Sequence, residues 1–567
     1  MLIDSSAEPV GELLEFDICI VGSGPAGLTL AREMARGGQR VCILESGGKN
    51  LAENTQDLNS AHVESEHGYR EQPLRDGRRR QLGGSANLWN HELRGESEQY
   101  IRYVQLDETD LEPRDWVPES GWPMTRKELQ PYYDQAAAVC GIAPFRNGAE
   151  DWKTDGKTPW QTSRVETVVS QFGSAKVFLD DYRRELVRHE RVTILLHANA
   201  LELRMEPLSR RITSVKVGSG VNAFEVRSKT FVLAAGGLEN ARILLLQNAI
   251  QPSGLGNQND MVGRCFMDHP SITLGTLRPH SAEIFRQAGF YDQHDVDGHP
   301  IMGKLHIRPE VQRREKMLNL CAVLVPHFSS LRANGSAVLR QLLVKGPKFL
   351  WQRRGASGQN ADDSQPAQPL RRRLLEGYYS ECFCGWSRLN GLEKHFGEFG
   401  VRSLVEQSPD RSNRVLLGDD VDALGQRKLK VHWRWNSLDL ESIRKAQGIF
   451  RAELAAVGIF TPVEERAGNL PRHFYSPHHF MGTTRMHENP RNGVVDAHGR
   501  VHDVPNLYIA GSSVFPTGGF ANPTLTIIAT TLRLAGHLTR KIAPSAEVDT
   551  AQTPMENWVS LPKAACI

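Results

Sequence analysis

Long hydrophobic runs are missing from this 567-residue chain. No apolar stretch reaches the roughly 18 residues that a membrane-spanning helix needs, so an integral helical membrane protein is excluded. An excess of one charge is missing too. Against 68 Lys and Arg stand 66 Asp and Glu, a formal net charge of +2. A nucleic-acid binder normally shows a dominant basic count, and none is expected here. Cysteine is sparse, at Cys19, Cys42, Cys140, Cys265, Cys321, Cys382, Cys384 and Cys566. The one tight pair, Cys382-Phe383-Cys384, has no second pair to complete a zinc or iron–sulfur set, so no metal is expected. This usage predicts a reduced, cytoplasmic setting. The first residues carry acids and no apolar core, so neither a secretory nor a twin-arginine signal is expected. Cys566 is next to last, which excludes a prenylation box.

What remains is a globular composition, 40% hydrophobic and 24% charged. The length exceeds one ordinary core and predicts two closely joined domains. Phe16–Val21 is a short apolar run of the kind a buried parallel strand shows. Gly22-Ser23-Gly24-Pro25-Ala26-Gly27 follows at once, then a helical stretch from Leu28 to Gly37, then the strand Arg40–Leu44 with Glu45 at its end. Gly22 permits the tight turn, Gly24 lets backbone approach a pyrophosphate, and Gly27 lets helix and strand pack closely. The helix N-terminus offers unpaired N–H groups to phosphates, and Glu45 can accept from a ribose hydroxyl. The complete unit predicts dinucleotide binding and leaves FAD and NAD open.

Gln81–Trp89 contains Gly83-Gly84-Ser85-Ala86-Asn87-Leu88-Trp89. By itself it reads as a surface turn, or as backbone thin enough to pass a flat ring. Thr125 and Glu128 form a capping box at the start of a helix. Strands are expected at Val192–Leu196, Ile212–Val217 and Thr230–Ala234, the last running into Ala235-Gly236-Gly237 and a helix. From about 270 to 460 the pattern turns mixed, with antiparallel strands at 411–417 and 428–435. Residues 355–370 read as a lid or disordered loop. Residues 337–354 read as a packed helix with a basic face, or as an amphipathic arm. Near the end come two denser blocks. In Ser476–Met486, the pair His478-His479 is structural or half of a metal site on its own. In Phe515–Thr526, Pro523 suits a first helical position and Asn522 an N-cap.

Taken in order, these four segments resemble the glucose–methanol–choline (GMC) flavin oxidoreductases. The blocks Met261–Pro270, Gly493–His502 and Asn506–Ser512 match as well. The resemblance implies an α/β chain in which a Rossmann-type FAD-binding domain is interleaved with an α+β substrate domain on an antiparallel sheet. The expected division is a tail at 1–14, FAD-binding parts at 15–120, 191–270 and 471–542, substrate-domain parts at 121–190 and 271–470, and a tail at 543–567. It also implies FAD as cofactor, with His479 and Asn522 as the active-site pair. Ala235 and Gly236 are expected along the FAD, Gly511 and Ser512 near its pyrophosphate or ribityl chain, and Pro523 and Thr524 near the flavin ring. Pyranose-oxidase-like members bond FAD covalently through a histidine in the 83–89 loop. Leu88 stands at that position, so noncovalent FAD is expected. The Cys-rich insert of membrane-linked sugar dehydrogenases is absent.

The reaction so implied is oxidation of an alcohol. His479 Nε2 takes the hydroxyl proton, while Asn522 steadies the oxygen and aims the C–H bond at the flavin. The blocks at 121–133 and 478–486 resemble the pyranose and sugar-acid branch, so a sugar, glycoside or cyclic polyol is the expected substrate. Trp386, Trp433 and Trp435 either stack on a sugar or pack between sheets. Oxygen, a quinone or a cytochrome remains open as electron acceptor, as does an accessory subunit or homo-oligomer. Two rivals are a lyase of the same fold and a flavin-binding subunit without chemistry.

Overall fold

The computed structural model describes residues 1–7, 13–89, 91–92, 99–154, 156–220, 222–249, 251–328, 386–388, 396–463 and 474–542. The segments expected at 337–354, 355–370 and 543–567, with Cys382, Cys384 and Cys566, lie outside the described residues.

Ile18, Cys19 and Ile20 are wholly buried, as an uninterrupted apolar strand covered on both faces must be. They lie in Leu13–Val21, near the middle of an eight-stranded sheet. Val41–Leu44 and then Val192–Leu196 continue the sheet in parallel on one side. Asn222–Leu233 pairs in parallel on the other, and Leu507–Ile509 pairs in parallel with it. Ile212–Ser219 and Asn199–Met205 complete the sheet as antiparallel strands. Parallel pairs need crossovers, and the helix Pro25–Arg36 supplies the first. It buries Leu28, Leu30, Ala31 and Met34. It packs against Thr524–Ile542, which in turn packs against Arg126–Val139. The capping box expected at Arg126 forms: Glu128 Oε2 accepts from Thr125 N at 2.7 Å.

The expected N-terminal tail is a strand at its start. Leu2–Asp4 pairs with Val192–Leu196, which would otherwise end the sheet with an open backbone edge. The Met1 ammonium donates to the Val192 carbonyl at 2.6 Å.

A second sheet of nine strands is antiparallel throughout its described pairs. It includes Gln99–Tyr103, Val165–Ser174, His299–Ile307, Leu320–Phe328 and Phe396–Val405. Gln99–Tyr103 lies within the stretch expected to be FAD-binding. Ala61–Ser65, from the same stretch, joins Arg414–Val421 and Arg427–Trp433 in a three-stranded sheet. The interleaving is therefore finer than chain order suggests, because strand partners are chosen across long separations. Trp386, Trp433 and Trp435 are buried in the core of this half. Trp433 stacks on Tyr69 at 4.9 Å and donates to Gln407 Oε1 at 3.0 Å, so these rings serve packing and not sugar stacking.

Arg114 meets Glu406 in a buried two-pronged pair at 2.9 and 2.6 Å. Glu406 Oε2 also accepts from Asn319 N at 2.8 Å. Removing one member strands the other's charge in the interior, which costs about 3–5 kcal/mol. Glu406→Ala is therefore expected to lose about that much stability in a denaturant titration, and the Arg114→Met/Glu406→Met double variant to lose less. A loss under 1 kcal/mol for the single variant would contradict this account of the pair.

Candidate active site

The glycine turn is built by steric exclusion. Gly22 sits at φ +106°, and a Cβ there would fall 2.5 Å from the Ala234 carbonyl oxygen. A Cβ on Gly27 would fall 2.0 Å from the Gly22 oxygen. Gly24 is different: nothing lies within 4 Å of its absent side chain, because it faces a cavity. No side chain caps the helix that starts there, so its first N–H groups stay available.

Glu45 fastens this turn. Its Oε2 accepts from Ser23 N at 3.1 Å and Ser23 Oγ at 2.5 Å, and its Oε1 from Gly47 N at 2.8 Å. Burial pushes its carboxyl upward, and these hydrogen bonds pull it back. Ser23 Oγ accepts in turn from Gly83 N at 3.1 Å, which ties the 83–88 loop to the turn. A Cβ on Gly84, at φ +55°, would fall 2.8 Å from Gly24 Cα.

The second half of the site centres on Asp268, a fully buried carboxylate. Its Oδ1 accepts from His479 N at 3.0 Å and His269 N at 2.8 Å. Its Oδ2 accepts from Tyr69 Oη at 2.9 Å and from Ser476 Oγ. His478 stands at φ +66°, a left-handed conformation that costs a side-chain-bearing residue about 1–3 kcal/mol. The clamp on its neighbours holds that turn, which sends His479 to the cavity wall.

There the imidazole is held at both nitrogens. His479 Nε2 lies 3.2 Å from Asn522 Nδ2, and His479 Nδ1 lies 3.0 Å from His269 Nδ1. Burial, followed by His269, His478, Lys304 and Arg102, keeps His479 well below the ordinary imidazole range. His269 is pushed down to about 4, chiefly by burial. Both rings are thus neutral near pH 7. The Asn522 amide nitrogen donates, which leaves the lone pair of His479 on Nε2 and its proton on Nδ1. His269 accepts that proton through Nδ1, while its own Nε2 faces the Gly518–Gly519 backbone. Asn522 is therefore turned to the imidazole rather than capping the helix, which begins at Thr524. Its Oδ1 is buried and meets no partner.

One cavity of about 550 Å³ joins these parts. Gly22, Gly24, Pro25, Ala26, Glu45, Gly84, Ser85, Leu88, Ala235, Gly236, Gly511, Ser512, Pro523 and Thr524 line it with His479 and Asn522. Three expected cofactor residues do not. Gly27 is internal packing for the turn. Gly83 backs onto Arg183 and Leu179. Asn87 braces its own loop by donating to the Leu82 and Gly84 carbonyls at 3.1 and 2.8 Å. Sequence reasoning missed Ser23, although it stood inside the quoted turn. It also missed Arg78, Arg102 and Arg402, which line the cavity without a motif to flag them. The fit to FAD is good on the molecule's own terms. Gly24, Gly236 and Gly511 leave open space where a phosphate and ribityl chain need close backbone. The cavity runs on from the glycine turn to the imidazole, and Leu88 offers no nucleophile for a covalent bond.

Fold and cavity together define a dinucleotide-binding protein whose second, antiparallel sheet helps to wall the imidazole end of the cavity. A family model described as FAD dependent oxidoreductase matches residues 17–253, and one described as GMC oxidoreductase matches residues 409–531. The fructose dehydrogenase large subunit of Gluconobacter japonicus is 23% identical over 92% of this chain and 98% of its own. The 2-methyl-1,2-propanediol dehydrogenase of Mycolicibacterium austroafricanum is 23% identical over 95% and 97%. The crystal structure of a formate oxidase superposes with TM-score 0.54 and 16% identity, covering 94% of this chain and 99% of that one. The chain belongs to the GMC oxidoreductase family, and its cofactor is FAD.

Ser23→Ala removes the hydroxyl that links Glu45 to Gly83. A hydrogen bond to a charged group contributes about 1.5–3 kcal/mol. FAD affinity, read by titrating apoprotein with flavin, is expected to weaken about tenfold or more. Unchanged affinity would show that the link does not shape the cradle.

Proposed function

We propose that the protein oxidises the CH–OH group of a sugar, glycoside or cyclic polyol, with His479 as base and Asn522 as the group that positions the oxygen. The observation that carries this reading is that His479 Nε2 and the Asn522 amide nitrogen meet 3.2 Å apart at the cavity wall, where one substrate hydroxyl can reach both. Bound FAD supplies a two-electron acceptor for the hydride.

The protein's own part is proton handling and aim. A neutral alcohol cannot release hydride without forming a protonated carbonyl, so its proton must leave to a base within reach. A hydroxyl placed between His479 and Asn522 gives that proton to Nε2 and accepts from the amide as negative charge grows on oxygen. Asn522 Oδ1 has spare capacity for a neighbouring substrate hydroxyl. His269 is a positioning residue. By accepting from His479 Nδ1 it fixes the ring angle and the tautomer that leaves Nε2 basic. The helix Thr524–Ile542 starts at the cavity wall, where its positive end favours developing negative charge.

The large-subunit and diol-dehydrogenase relatives support alcohol oxidation over the lyase and non-catalytic readings, and a dehydrogenase working with an accessory subunit fits the first of them. No described helix is long and apolar enough to cross a membrane. Cys19, Cys42, Cys140, Cys265 and Cys321 are buried and unpaired, which supports a reducing, cytoplasmic compartment.

His479→Ala is expected to slow anaerobic flavin reduction about 10²–10⁴-fold, the usual contribution of a general base. Reduction at the native rate would end the assignment. A second expectation concerns pH. Lowering the pKa of His479 extends its neutral, competent form to more acid solution. Flavin reduction should therefore stay flat as pH falls from 8 through the ordinary imidazole value of about 6.5, and decline only below it. A loss centred at or above that value would mean a different base.

A further inference from the structure

Where the antiparallel sheet meets His479, the cavity wall carries charge of one sign. Arg102, on Gln99–Tyr103, and Arg402, on Phe396–Val405, line the same cavity as His479. They share one face of the sheet. Arg102 pairs across strands with Phe172, and Arg402 with Val323. Phe172 and Met302 form a small apolar cluster, with Val323 packed against it, on strands that lie between those of the two arginines. Arg102 is only 5% exposed. Its Nε meets no hydrogen-bond partner, and among the described residues its side chain makes one hydrogen bond, a long one from Nη1 to the Met302 sulfur at 4.0 Å. Among the described residues, no carboxylate pairs with Arg102 or Arg402.

Most other charges on the wall are already engaged; among the described residues Arg79, beside the Asp76 and Glu53 carboxylates, is the exception without a hydrogen bond. Glu45 is bonded to Ser23 and Gly47, Glu239 to Arg78, Arg80 and Arg242, and Asp422 to Arg242. Arginine cannot shed its charge at any working pH, so a buried, unpaired guanidinium is costly unless an anion meets it. The uncapped N-terminal end of Pro25–Arg36 already offers the cofactor phosphates a positive partner. The arginines stand instead on the sheet.

We propose that the alcohol oxidised here also bears an anionic group, a carboxylate or a phosphate ester, received by Arg102 and Arg402 while its hydroxyl meets His479. This rests on the reading of His479 and Asn522 as the alcohol-oxidising pair. It narrows the substrate from neutral sugars to sugar acids or sugar phosphates. Guanidinium forks suit both anions, so the two sources are separated by experiment.

The test uses the FAD-loaded protein under anaerobic conditions. Glucose, galactose and mannose are each compared with their uronates and 6-phosphates, and flavin bleaching is followed at low substrate. One anionic series is expected to reduce the flavin about 10–100-fold faster per unit concentration than its neutral parents, the range of a charge-assisted hydrogen bond. That advantage should shrink as ionic strength rises. Arg102→Met and Arg402→Met should bring the anion-to-neutral ratio toward one, whatever their absolute rates. Neutral sugars reducing the flavin as well as or better than both anionic series would overturn the proposal while leaving alcohol oxidation intact. An Arg102→Met variant that alters the flavin spectrum but keeps the ratio would assign Arg102 to the cofactor, and would overturn it too. Benzoate, which has no alcohol to oxidise, supplies a separate binding readout. If no alcohol bleaches the flavin yet benzoate perturbs its absorbance, and Arg102→Met abolishes that effect, the oxidation reading fails and the anion site stands. If benzoate also has no effect, both fail.

Discussion

The Asp268 carboxylate is the constraint on which the reacting end of the molecule depends. It has no exposure to solvent, yet it accepts from two backbone N–H groups and two hydroxyls. A buried carboxylate this well supplied is stabilised and rigid at once. Two of its donors are the backbones of His269 and His479, which lie more than two hundred residues apart in sequence. Because one carboxylate oxygen holds both, the two imidazoles are brought edge to face with centroids 5.2 Å apart. The left-handed turn at His478 persists because its neighbours on both sides are fixed.

At the other end of the cavity a second carboxylate does a related task. Glu45 joins the end of Val41–Leu44 to Ser23 in the glycine turn, and Ser23 passes the constraint to Gly83. A cofactor cradle needs backbone from several segments held close without side chains in the way. Two hydrogen bonds through one serine hydroxyl, with glycines at the points of closest approach, achieve that here. The helix Thr524–Ile542 connects the two ends: it packs on Pro25–Arg36 below the glycine turn and opens beside His479.

The electrostatics of the reacting end follow from what was buried. Two adjacent imidazoles with cations nearby are driven neutral, which suits a base. Of these surroundings, burial opposes charge of either sign, and the Lys304 and Arg102 cations are what favour a negative charge there. A neutral Nε2, free to take a proton, is the consequence of burial and the nearby cations together.

The sequence by itself determined the class of the protein. The βαβ unit with Gly22, Gly24, Gly27 and Glu45 is local, since each glycine answers to a neighbour within a short stretch or to the adjacent strand. That His479 and Asn522 belong together was expected from the distinctive blocks around them, and the structure brings the two side chains within 3.2 Å at one cavity. Tertiary structure decided the rest. Which residues of the 83–89 loop face the cavity depends on the packing of Arg183 and Leu179, so Gly83 and Asn87 look inward while Leu88 lines the wall. The three tryptophans went to the core because strand pairing buried them. Asp268 and His269 stand in the block Met261–Pro270 that carries the resemblance, but nothing along the chain marks their partners, and Arg102 and Arg402 stand in no motif at all. Their roles arise where strands from distant parts of the chain share one face, and no periodicity along the chain encodes a meeting of that kind.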